Sequence, residues 1–585
     1  MSILPAVLAT AMATWYPAED WKDEPDPVAS PRAIKGGLLR FNGSQPPKSF
    51  NYYVDNNNYS LMMFLLMYQP LISLDSQTQE FTPLIARRWS VSDDGREFTF
   101  VVDERARWSD GVPITAEDVQ WTFDQLVDPK TDTGVFKSIL DVYERPEVVD
   151  ARTLKVRVKE GASQDWRFLM HFGEIMVMPK HYFGGQDFNK LDLLDAPVSG
   201  PYRISKVSER VFTEYSRVKN WWRADFPSSQ GLYNFDRIVM RYYLTHENAF
   251  DALKKDMIDV YPVYSARIMC YETLGEKFQR NWLVKRRVRN HEPTGYQGFA
   301  MNMRHWPFDD VRVRKAMAML IDRDTMIKTL MNNEYFPLRS FYTELYDEEH
   351  PCGNELIPFD LDGAAALLRE AGFEKDAKGR LAKDGRPFAF TFLSRNSTED
   401  RTLAPFRANL VKLGIEMKIE RCDFANWMKQ MDAWNFDMTW SAMGGSVIKA
   451  PEFLWLSSEA DRKGSANRCG FKSARVDELI KAEKTMMKMS DRVAVYREID
   501  ALVAAEVTYA FLWSADNVRL AYWNRFGMPD TVLDRTSDET CIPAYWWYDP
   551  DRDAELKVAM REKKCLPSVP LWVDYDEAMK KKGRE

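Results

Sequence analysis

"RWSDGVPITAEDVQWTF", Arg107–Phe123, contains an Asp-Gly turn signal followed by a threonine and two adjacent acids. Thr115 is a favourable helix N-cap, and Asp118 lies three positions later, where a capping box places an acceptor that bonds back to the cap. The apolar and β-branched residues that follow fall on one helical face: Val119, Thr122, Phe123, Leu126 and Val127. Asp128-Pro129 ends the pattern. The stretch therefore predicts an amphipathic helix whose acids stabilise its first turn, and it does not predict an acidic catalytic site.

Short strands precede this helix. A strand is predicted from about Gly37 to Phe41, and the alternating segment "FTFVVD", Phe98–Asp103, predicts another. Asp94-Gly95 and Asp110-Gly111 are turn signals on either side of the second strand. This part of the chain therefore reads as a meander of short antiparallel strands.

The same kind of helix start recurs later in the chain. Asp309 or Asp310 is predicted to cap a helix, and Asp322 is predicted to cap the next one. The buried face of the first helix is formed by Val313, Ala316, Met317, Leu320 and Ile321. We expect three basic residues to face solvent, namely Arg312, Lys315 and Arg323.

From about Asp362 the pattern alternates between helices and strands. One helix ends at Gly372, a hairpin turns at Asp384-Gly385, and a second helix ends at Gly414. A strand then leads to a helix capped by Asp423 and to a further strand. The order strand, helix, strand predicts a βαβ crossover.

Size and composition bound the class of protein. A chain of 585 residues exceeds a single core and predicts two or three lobes. Hydrophobic residues make up 45% and charged residues 29%, which is typical of a soluble globular protein. The net charge is −7 with both signs intermixed, so nucleic-acid binding through a basic face is not predicted. The longest apolar run, Leu61–Tyr68, is far shorter than the roughly 20 residues that span a bilayer.

The N-terminus resembles an export signal. Ile3–Ala13 is a short apolar stretch that ends in small residues, although no basic residue occurs before Lys22. We expect the protein to be exported, with a flexible tail as the alternative interpretation. No cysteine lies near this segment, so a lipid anchor is not predicted.

The cysteines do not indicate a metal site. The six residues form no C-x-x-C pair, and they are Cys270, Cys352, Cys422, Cys469, Cys541 and Cys565. Their even number permits disulfides in an exported protein, but the sequence leaves their pairing open.

Taken in order, these segments resemble the family 5 solute-binding proteins of bacterial ABC transporters, the group that binds oligopeptides, dipeptides and nickel. The opening stretch is similar to that family's W-x-D-G-x-P-x-T-A-x-D-V signature. Other similar segments are "PVSGPYRISKV" (Pro197–Val207), "VKNWWRAD" (Val218–Asp225), "YNFDRIVMRYY" (Tyr233–Tyr243), "NMRHWPFDDVRVRKAMAMLIDR" (Asn302–Arg323), "LLREAGF" (Leu367–Phe373), "KLGIEMKIE" (Lys412–Glu420) and "NFDM" (Asn435–Met438). The resemblance covers roughly Gly37 to Asn524, and "PAYWWYDP", Pro543–Pro550, is similar to the microcin-C and oligopeptide branch.

The sequence departs from the family pattern at two places. Peptide binders of the family often carry an Asp that holds the α-amino group of the ligand, but no Asp lies between Asp437 and Glu452 here. This departure favours longer, branched or modified ligands held by backbone contacts and stacking. In addition, Asp256 and Met257 stand where the family usually has a Gly.

The resemblance implies a mixed α/β chain with the type II periplasmic-binding-protein fold. That fold has two lobes with a ligand cleft that closes by a hinge, and an extra subdomain on lobe I. The implied boundaries are a flexible N-terminus 1–36, lobe I 37–69, 200–296 and 509–585, the subdomain 70–199, and lobe II 297–508.

The implied function is capture of an oligopeptide or peptide-like solute in the periplasm and its delivery to an ABC permease, without catalysis. The protein is expected to be a monomer that needs no cofactor or metal and binds no nucleic acid. The implied ligand contacts are Tyr59, Tyr296, Asn302, Trp440, Ser441, Met443 and Gly444. Gly444-Gly445 would let a ligand backbone approach closely. The alternative interpretation is a place in the core, since a Trp or Tyr in an α/β lobe is more often a core residue than a ligand contact.

Two alternatives remain open at this point. A hydrolase would need paired carboxylates, but adjacent helical residues such as Glu117 and Asp118 point about 100° apart and cannot flank one bond. The sequence also has no His motif with metal spacing, no G-x-S-x-G and no P-loop. The second alternative is a binder of a metal chelate or an oligosaccharide on the same fold.

Overall fold

The computed structural model describes residues 14–55, 58–486 and 488–583. The signal-like segment Ile3–Ala13 lies outside the described residues. The strands are β1 (Thr14–Tyr16), β2 (Leu38–Asn42), β3 (Ile72–Leu74), β4 (Phe81–Pro83), β5 (Ala86–Val91), β6 (Glu97–Val102), β7 (Glu147–Val148), β8 (Thr153–Arg157), β9 (Tyr202–Ser208), β10 (Phe212–Arg217), β11 (Arg237–Arg241), β12 (Val260–Pro262), β13 (Leu283–Arg289), β14 (Tyr296–Met301), β15 (Phe336–Pro337), β16 (Glu374–Lys375), β17 (Leu381–Lys383), β18 (Arg386–Pro387), β19 (Ala389–Ser394), β20 (Glu416–Arg421), β21 (Met438–Met443), β22 (Tyr509–Phe511), β23 (Trp513–Ser514), β24 (Val518–Trp523), β25 (Phe526–Gly527), β26 (Trp547–Tyr548) and β27 (Trp572–Asp574).

The α-helices alternate with these strands along the chain, which confirms the predicted mixed α/β class. They are α1 (Asn58–Met67), α2 (Ala116–Val127), α3 (Gly134–Leu140), α4 (Arg167–Gly173), α5 (Lys180–Phe183), α6 (His246–Lys254), α7 (Ala266–Tyr271), α8 (Glu276–Gln279), α9 (Val311–Met319), α10 (Arg323–Thr329), α11 (Leu361–Glu370), α12 (Asp400–Leu413), α13 (Phe424–Asp432), α14 (Pro451–Trp455), α15 (Ala474–Glu483), α16 (Met489–Ala505), α17 (Ile542–Tyr545), α18 (Pro550–Glu562) and α19 (Tyr575–Lys581).

The chain divides into two compact units. The first contains the residues up to Tyr264, Thr273–Asn290 and those from Val518 onward, and the second contains Ser265–Glu272 and His291–Asn517. Three sheets dominate the first unit, with strand orders β1-β5-β6-β8-β7, β2-β11-β10-β9 and β12-β24-β13-β27. The strand predicted near residues 37–41 is β2, which pairs in parallel with β11.

Helix α2 confirms the prediction from Arg107–Phe123. Asp118 Oδ2 accepts hydrogen bonds from the Thr115 backbone N at 2.9 Å and from Thr115 Oγ1 at 3.2 Å, which is the predicted return bond to the cap. Asp118 Oδ1 also accepts from the Lys180 backbone N at 2.9 Å. Val119 and Phe123 are buried as expected. This carboxylate is therefore occupied by the helix start and by a neighbouring segment.

A buried ion pair joins two sheets of the first unit. Asp259, which directly precedes β12, accepts from Arg40 Nη2 on β2 at 2.6 Å and from the Arg40 backbone N at 2.7 Å. The Asp259 backbone N donates to Arg40 O at 2.8 Å, and its carbonyl accepts from the Trp523 backbone N on β24 at 3.0 Å. Asp259 is fully buried. A buried charge of this kind needs its partner, because an unpaired one would carry the whole cost of desolvation.

Asp256 adopts a backbone conformation that usually belongs to glycine. Its φ is +59°, in the left-handed region, which is consistent with the Gly that the family resemblance implies at this step. Its carboxylate accepts from Arg40 Nη2 at 2.5 Å and from Arg525 Nη2 at 2.9 Å. These two contacts offset the strain of a side chain in this conformation.

The second unit is built on a five-stranded sheet with the order β20-β19-β21-β14-β22. Strand β19 is parallel to both β20 and β21, as the predicted crossovers require, and β14 runs antiparallel to β21 and β22. The residues of β14 alternate between two apolar cores: Phe299 packs in one and Tyr296 in the other. Gly298 lies where β14 meets β22 most closely, since a Cβ there would stand 2.6 Å from Ala510 O.

One expectation about the basic residues near α9 is wrong. Arg323 does not face solvent; it is 5% exposed, and its Nη1 donates to Phe511 O at 3.0 Å. The side chain is long enough to reach a backbone carbonyl inside the unit, which the helical pattern cannot reveal. Arg312 is exposed as expected, while Lys315 is half-buried and pairs with Glu355 at 2.7 Å. The predicted caps Asp310 and Asp322 are confirmed.

No disulfide joins any of the six cysteines, all of which lie in the described part of the chain. In the described part of the chain, no helix is both long enough and apolar enough to cross a bilayer.

Replacing Asp256 separates backbone strain from charge. Both Asp256→Ala and Asp256→Gly lose the two arginine contacts, but only Ala is strained at φ +59°. We expect Asp256→Gly to be more stable than Asp256→Ala by about 1 kcal/mol in urea unfolding. The matched pair at Asp251, inside α6, should show the opposite order, because Gly is less favourable than Ala within a helix. Equal stabilities of the two Asp256 variants would contradict the strain argument.

Candidate functional site

The predicted residues of the second unit lie on β14 and β21. In the register of the two strands Tyr296 is opposite Met443, and Gly298 is opposite Ser441. Trp440 is opposite Phe299 and therefore projects from the other face of the sheet, because successive residues of a strand alternate in direction. The structure thus brings Tyr296, Ser441 and Met443 together and separates Trp440 from them.

These residues differ in exposure. Tyr296 is buried, with its ring edge-on to Phe341 at 4.8 Å and to Tyr509 at 5.3 Å between centroids. Ser441 is also buried, whereas Met443 is exposed. Half-buried Trp440 donates from Nε1 to Gln297 Oε1 at 3.1 Å. Of this set, the Met443 side chain is the one that solvent reaches most freely, and ligand contact by the set stays a prediction.

Asn302 has a structural task in the second unit. Its side chain is fully buried, and its Nδ2 donates to Trp434 O and to Phe436 O, both at 3.0 Å. Its Oδ1 accepts from Arg304 Nη1 at 3.1 Å. The amide therefore uses both of its N–H groups and its carbonyl on the chain itself, fixing the turn after β14 to the approach to β21.

The two glycines after β21 play different parts. A Cβ at Gly445 would stand 2.1 Å from Pro293 O, so this glycine permits a close approach of two backbone segments within the second unit. A Cβ at Gly444 would meet nothing within 4 Å. Gly444 is exposed, so the prediction that a ligand backbone approaches closely now concerns Gly444 alone.

The loop after β21 carries a buried cation that the sequence analysis missed. Lys449 is buried and donates from Nζ to Glu344 Oε1 and to Ser446 O. Two neighbouring acceptor atoms, Glu344 Oε2 and Thr343 Oγ1, are buried and make no hydrogen bond to the described residues. This loop therefore places charged and polar atoms close in sequence to the exposed Met443-Gly444 strand end.

In the first unit, Tyr59 belongs to a cluster around a buried acid. The Tyr264 hydroxyl donates to Glu539 Oε1 at 2.5 Å, and the Tyr59 hydroxyl lies 3.4 Å from the same oxygen. Glu539 is only 2% exposed, whereas Tyr264 is 50% exposed. The Glu539 carboxylate is therefore buried beneath two tyrosine hydroxyls, one of which belongs to a half-exposed residue.

The loop before Glu539 is fixed by hydrogen bonds. Asp534 Oδ1 accepts from the Ser537 backbone N at 2.7 Å, and Asn290 Nδ2 donates to Asp534 O at 2.9 Å and to Ser537 O at 2.8 Å. Asp538 Oδ1 accepts from the Thr540 backbone N at 2.9 Å. These bonds hold the turn that carries Glu539 in one conformation.

Burial controls the acidity of Glu539. It raises the pKa of this carboxyl from 4.5 to about 7, and the neighbouring negative charge of Asp538 acts in the same direction. The hydroxyl of Tyr264 and, to a smaller extent, that of Tyr59 oppose the shift by hydrogen bonding to the ionised form. The carboxyl thus changes its charge near neutral pH.

No sequence pattern points to Glu539, Tyr264 or Lys449. Asp534 and Ser537 form a recognisable turn pattern, "DRTSDET", but the burial of the acid that follows depends on tertiary contacts. Nor did the sequence predict a metal site, and in residues 14–55, 58–486 and 488–583 no three His, Cys, Asp or Glu side chains are grouped to hold a metal ion.

Comparison with known proteins identifies a family match over most of the chain. Residues 80–465 match the family described as "Bacterial extracellular solute-binding proteins, family 5 Middle". The YejA protein of Escherichia coli (strain K12) is 27% identical over 577 residues, covering 91% of this chain and 92% of its own.

Solved structures show the same fold. The oligopeptide-binding protein AppA of Bacillus subtilis, in complex with a nonapeptide, is 20% identical with a TM-score of 0.67, covering 88% of this chain and 100% of its own. NikZ of Campylobacter jejuni, in complex with Ni(L-His), is 17% identical with a TM-score of 0.66, covering 87% of this chain and 99% of its own. The overall architecture is therefore that of bacterial solute-binding proteins.

The two adjacent glycines provide a matched pair of variants. Gly445→Ala forces Pro293 and the β21 end apart, and we expect a loss of about 1–3 kcal/mol in the free energy of unfolding. Gly444→Ala meets open space and should change the free energy of unfolding by less than about 0.5 kcal/mol. Urea unfolding of both variants measures this difference, and similar losses in both would contradict the assigned roles.

Stability should depend on pH through Glu539. Because its folded pKa is raised, the protonated form stabilises the protein fully below pH 4.5, and that contribution is lost as the pH rises through about 7. Glu539→Gln resembles the protonated form and does not lose this contribution. Between pH 4.5 and pH 8 the free energy of unfolding of the parent should therefore fall by about 3 kcal/mol relative to that of the variant. Urea unfolding at several pH values tests this. If the free energies of unfolding of the two proteins change equally with pH, the pKa of Glu539 is not raised.

Proposed function

The chain belongs to family 5 of the bacterial extracellular solute-binding proteins, and we propose that it is the periplasmic solute-binding component of an ABC importer. In this role it captures an oligopeptide or peptide-like solute and delivers it to the permease. The protein acts as an exported monomer and needs no cofactor.

The observation that supports this proposal most strongly is the extent of the structural likeness. The chain matches AppA of Bacillus subtilis over the whole length of that protein, and AppA was solved with a bound nonapeptide. Likeness of the fold alone does not select the solute, because NikZ, which holds Ni(L-His), matches nearly as well. The peptide assignment is therefore the point that the experiment must test.

Binding without turnover is consistent with the tasks of the acids. Asp118 and Asp310 are engaged in capping helices, and neither forms a carboxylate pair with its acidic neighbour in the chain. Solute-binding proteins obtain affinity from apolar burial with a few placed polar groups. We propose that Tyr59, Glu539 and Tyr264 in the first unit supply such groups.

In the second unit we propose a further set of ligand contacts around the β14 and β21 strand ends. The proposed contacts are Met443, Gly444 and, in addition to the predicted set, Lys449, and four further predicted residues are proposed to support them: Tyr296, Asn302, Trp440 and Ser441. Met443 and Gly444 are supported by their exposure, and Lys449 by its place in the loop that follows them. The buried members of the set would act chiefly by holding this strand end in place.

The proposal predicts that natively purified protein carries a peptide-like ligand. The protein is released by osmotic shock and examined by native mass spectrometry. Absence of the protein from the shock fraction would contradict export.

A binding solute at 100 times its Kd should stabilise the protein by about 2.7 kcal/mol and raise its Tm by mass action. Peptide, glycan and metal-chelate panels are compared by thermal shift. A rise with glycans or chelates but not with peptides would refute the peptide assignment, and conversion of a bound compound would refute pure binding.

A further inference from the structure

We propose that Glu539, together with the hydroxyls of Tyr59 and Tyr264, forms a subsite for a protonated amine of the solute. This inference rests on the proposed function and specifies the chemistry of its ligand. It assigns a role to a carboxylate that no motif in the sequence identifies.

The first argument is geometric. Both tyrosine hydroxyls lie on the same oxygen, Glu539 Oε1, at 2.5 Å for Tyr264 and 3.4 Å for Tyr59. Tyr264 is half exposed and Glu539 is buried, so the Tyr264 hydroxyl lies between the acid and the exposed part of its own ring. Tyrosine hydroxyls also accept hydrogen bonds, and an ammonium group has three N–H donors to share among the carboxylate and the two hydroxyls.

The second argument is the uncompensated charge. Within the described residues no lysine or arginine pairs with the Glu539 carboxylate. The surrounding groups are Asp538, which adds negative charge, His246, whose ring lies 5.5 Å from the Tyr264 ring, and Arg519, whose Nη2 donates to Tyr264 O at 3.0 Å. A buried carboxylate without a cation is costly, and a ligand cation would offset that cost.

The third argument is rigidity. Asn290 and Asp534 fix the turn before Glu539, and Phe41 packs edge-on against Tyr59 with 6.1 Å between ring centroids. Groups held in one conformation lose little entropy on binding a ligand. Aromatic rings beside a carboxylate also favour an ammonium over a neutral group, because a cation is attracted to their faces.

Amine binding at this subsite must be coupled to a proton. Burial raises the pKa of Glu539 to about 7, so part of the free protein carries a neutral acid there at neutral pH. A bound ammonium favours the ionised form, and a proton is therefore released on binding. Affinity should fall as the pH drops below about 7, where the carboxyl takes up a proton. For a peptide bound through its α-amine it should fall again above about pH 8, where the free amine loses its proton.

The test uses the full chain and two peptide pools. One pool contains synthetic peptides of mixed sequence with free amines, and the other contains the same peptides with every amine acetylated. Retained peptides are identified by mass spectrometry after gel filtration. The variants are Glu539→Gln, Tyr264→Phe and, as a control, Glu276→Gln, an exposed acid on α8 that pairs with Arg280.

The expected result is retention of the free-amine pool by the parent protein and by Glu276→Gln. Acetylation of the peptides or the Glu539→Gln change should each lower retention by about tenfold or more, since truncating one partner of a buried charge pair has effects of this size. Tyr264→Phe should lower it less. Equal retention of both pools, or undiminished retention by folded Glu539→Gln, overturns the amine subsite and leaves the proposed function intact. Retention of neither pool overturns the peptide function and the subsite with it.

A second measurement needs no variant and applies even where Glu539→Gln fails to fold. Calorimetric titration of the parent protein with a retained peptide, in two buffers of different ionisation enthalpy at pH 7, reports the protons released. Release of a fraction of a proton at pH 7 supports the subsite if at pH 9 it is replaced by proton uptake, for a ligand bound through an α-amine, or by no exchange, for one bound through a lysine amine. Binding without proton release at pH 7 overturns it.

Discussion

The ion pair between Arg40 and Asp259 is the constraint on which the first unit depends. Arg40 lies on β2, and Asp259 directly precedes β12, so the pair fixes one sheet against another through side-chain and backbone hydrogen bonds. Two residues of the candidate site lie close to these strands. Phe41, the next residue on β2, packs against Tyr59, and β12 leads within a few residues to Tyr264. Tyr59, on α1, thus packs against one of the strands that this buried pair joins, and Tyr264 closely follows the other. A break in the pair would leave a charge unpaired in the interior.

The same junction explains a departure from the family pattern. Asp256 occupies a left-handed position that normally requires glycine, and its carboxylate contacts Arg40 and Arg525. An aspartate tolerates this conformation better than most side chains do, and here its charge also serves the network. The contacts of Asp256 with the two arginines thus offset the strain of a side chain in this conformation.

The acids of this chain divide into two kinds that the sequence does not distinguish. Asp118, Asp310 and Asp423 accept backbone N–H groups at helix starts, and such carboxylates are structural. Glu539 lies in the first turn of a short 3-10 helix, Glu539–Cys541, that Asp538 caps. No lysine or arginine in the described part of the chain pairs with its carboxylate, and burial moves its pKa towards neutrality. The difference lies in burial and in the partners that the fold supplies, and only the three-dimensional arrangement shows these.

The sequence by itself determined the local elements and the family. The cap at Thr115, the stripe of α2, the strand near residue 39, the caps Asp310, Asp322 and Asp423 and the parallel strands of the second unit all follow from spacing and turn chemistry, which act over a few residues. Only the tertiary structure decided that Arg323 is buried, that Asn302 bonds the chain itself, that Trp440 faces away from Tyr296, and that Tyr59 and Tyr264 meet on Glu539. These facts depend on contacts between residues far apart in the chain, and Tyr59 and Glu539 are separated by 480 positions. No local pattern encodes the burial or the charge balance that such distant contacts create.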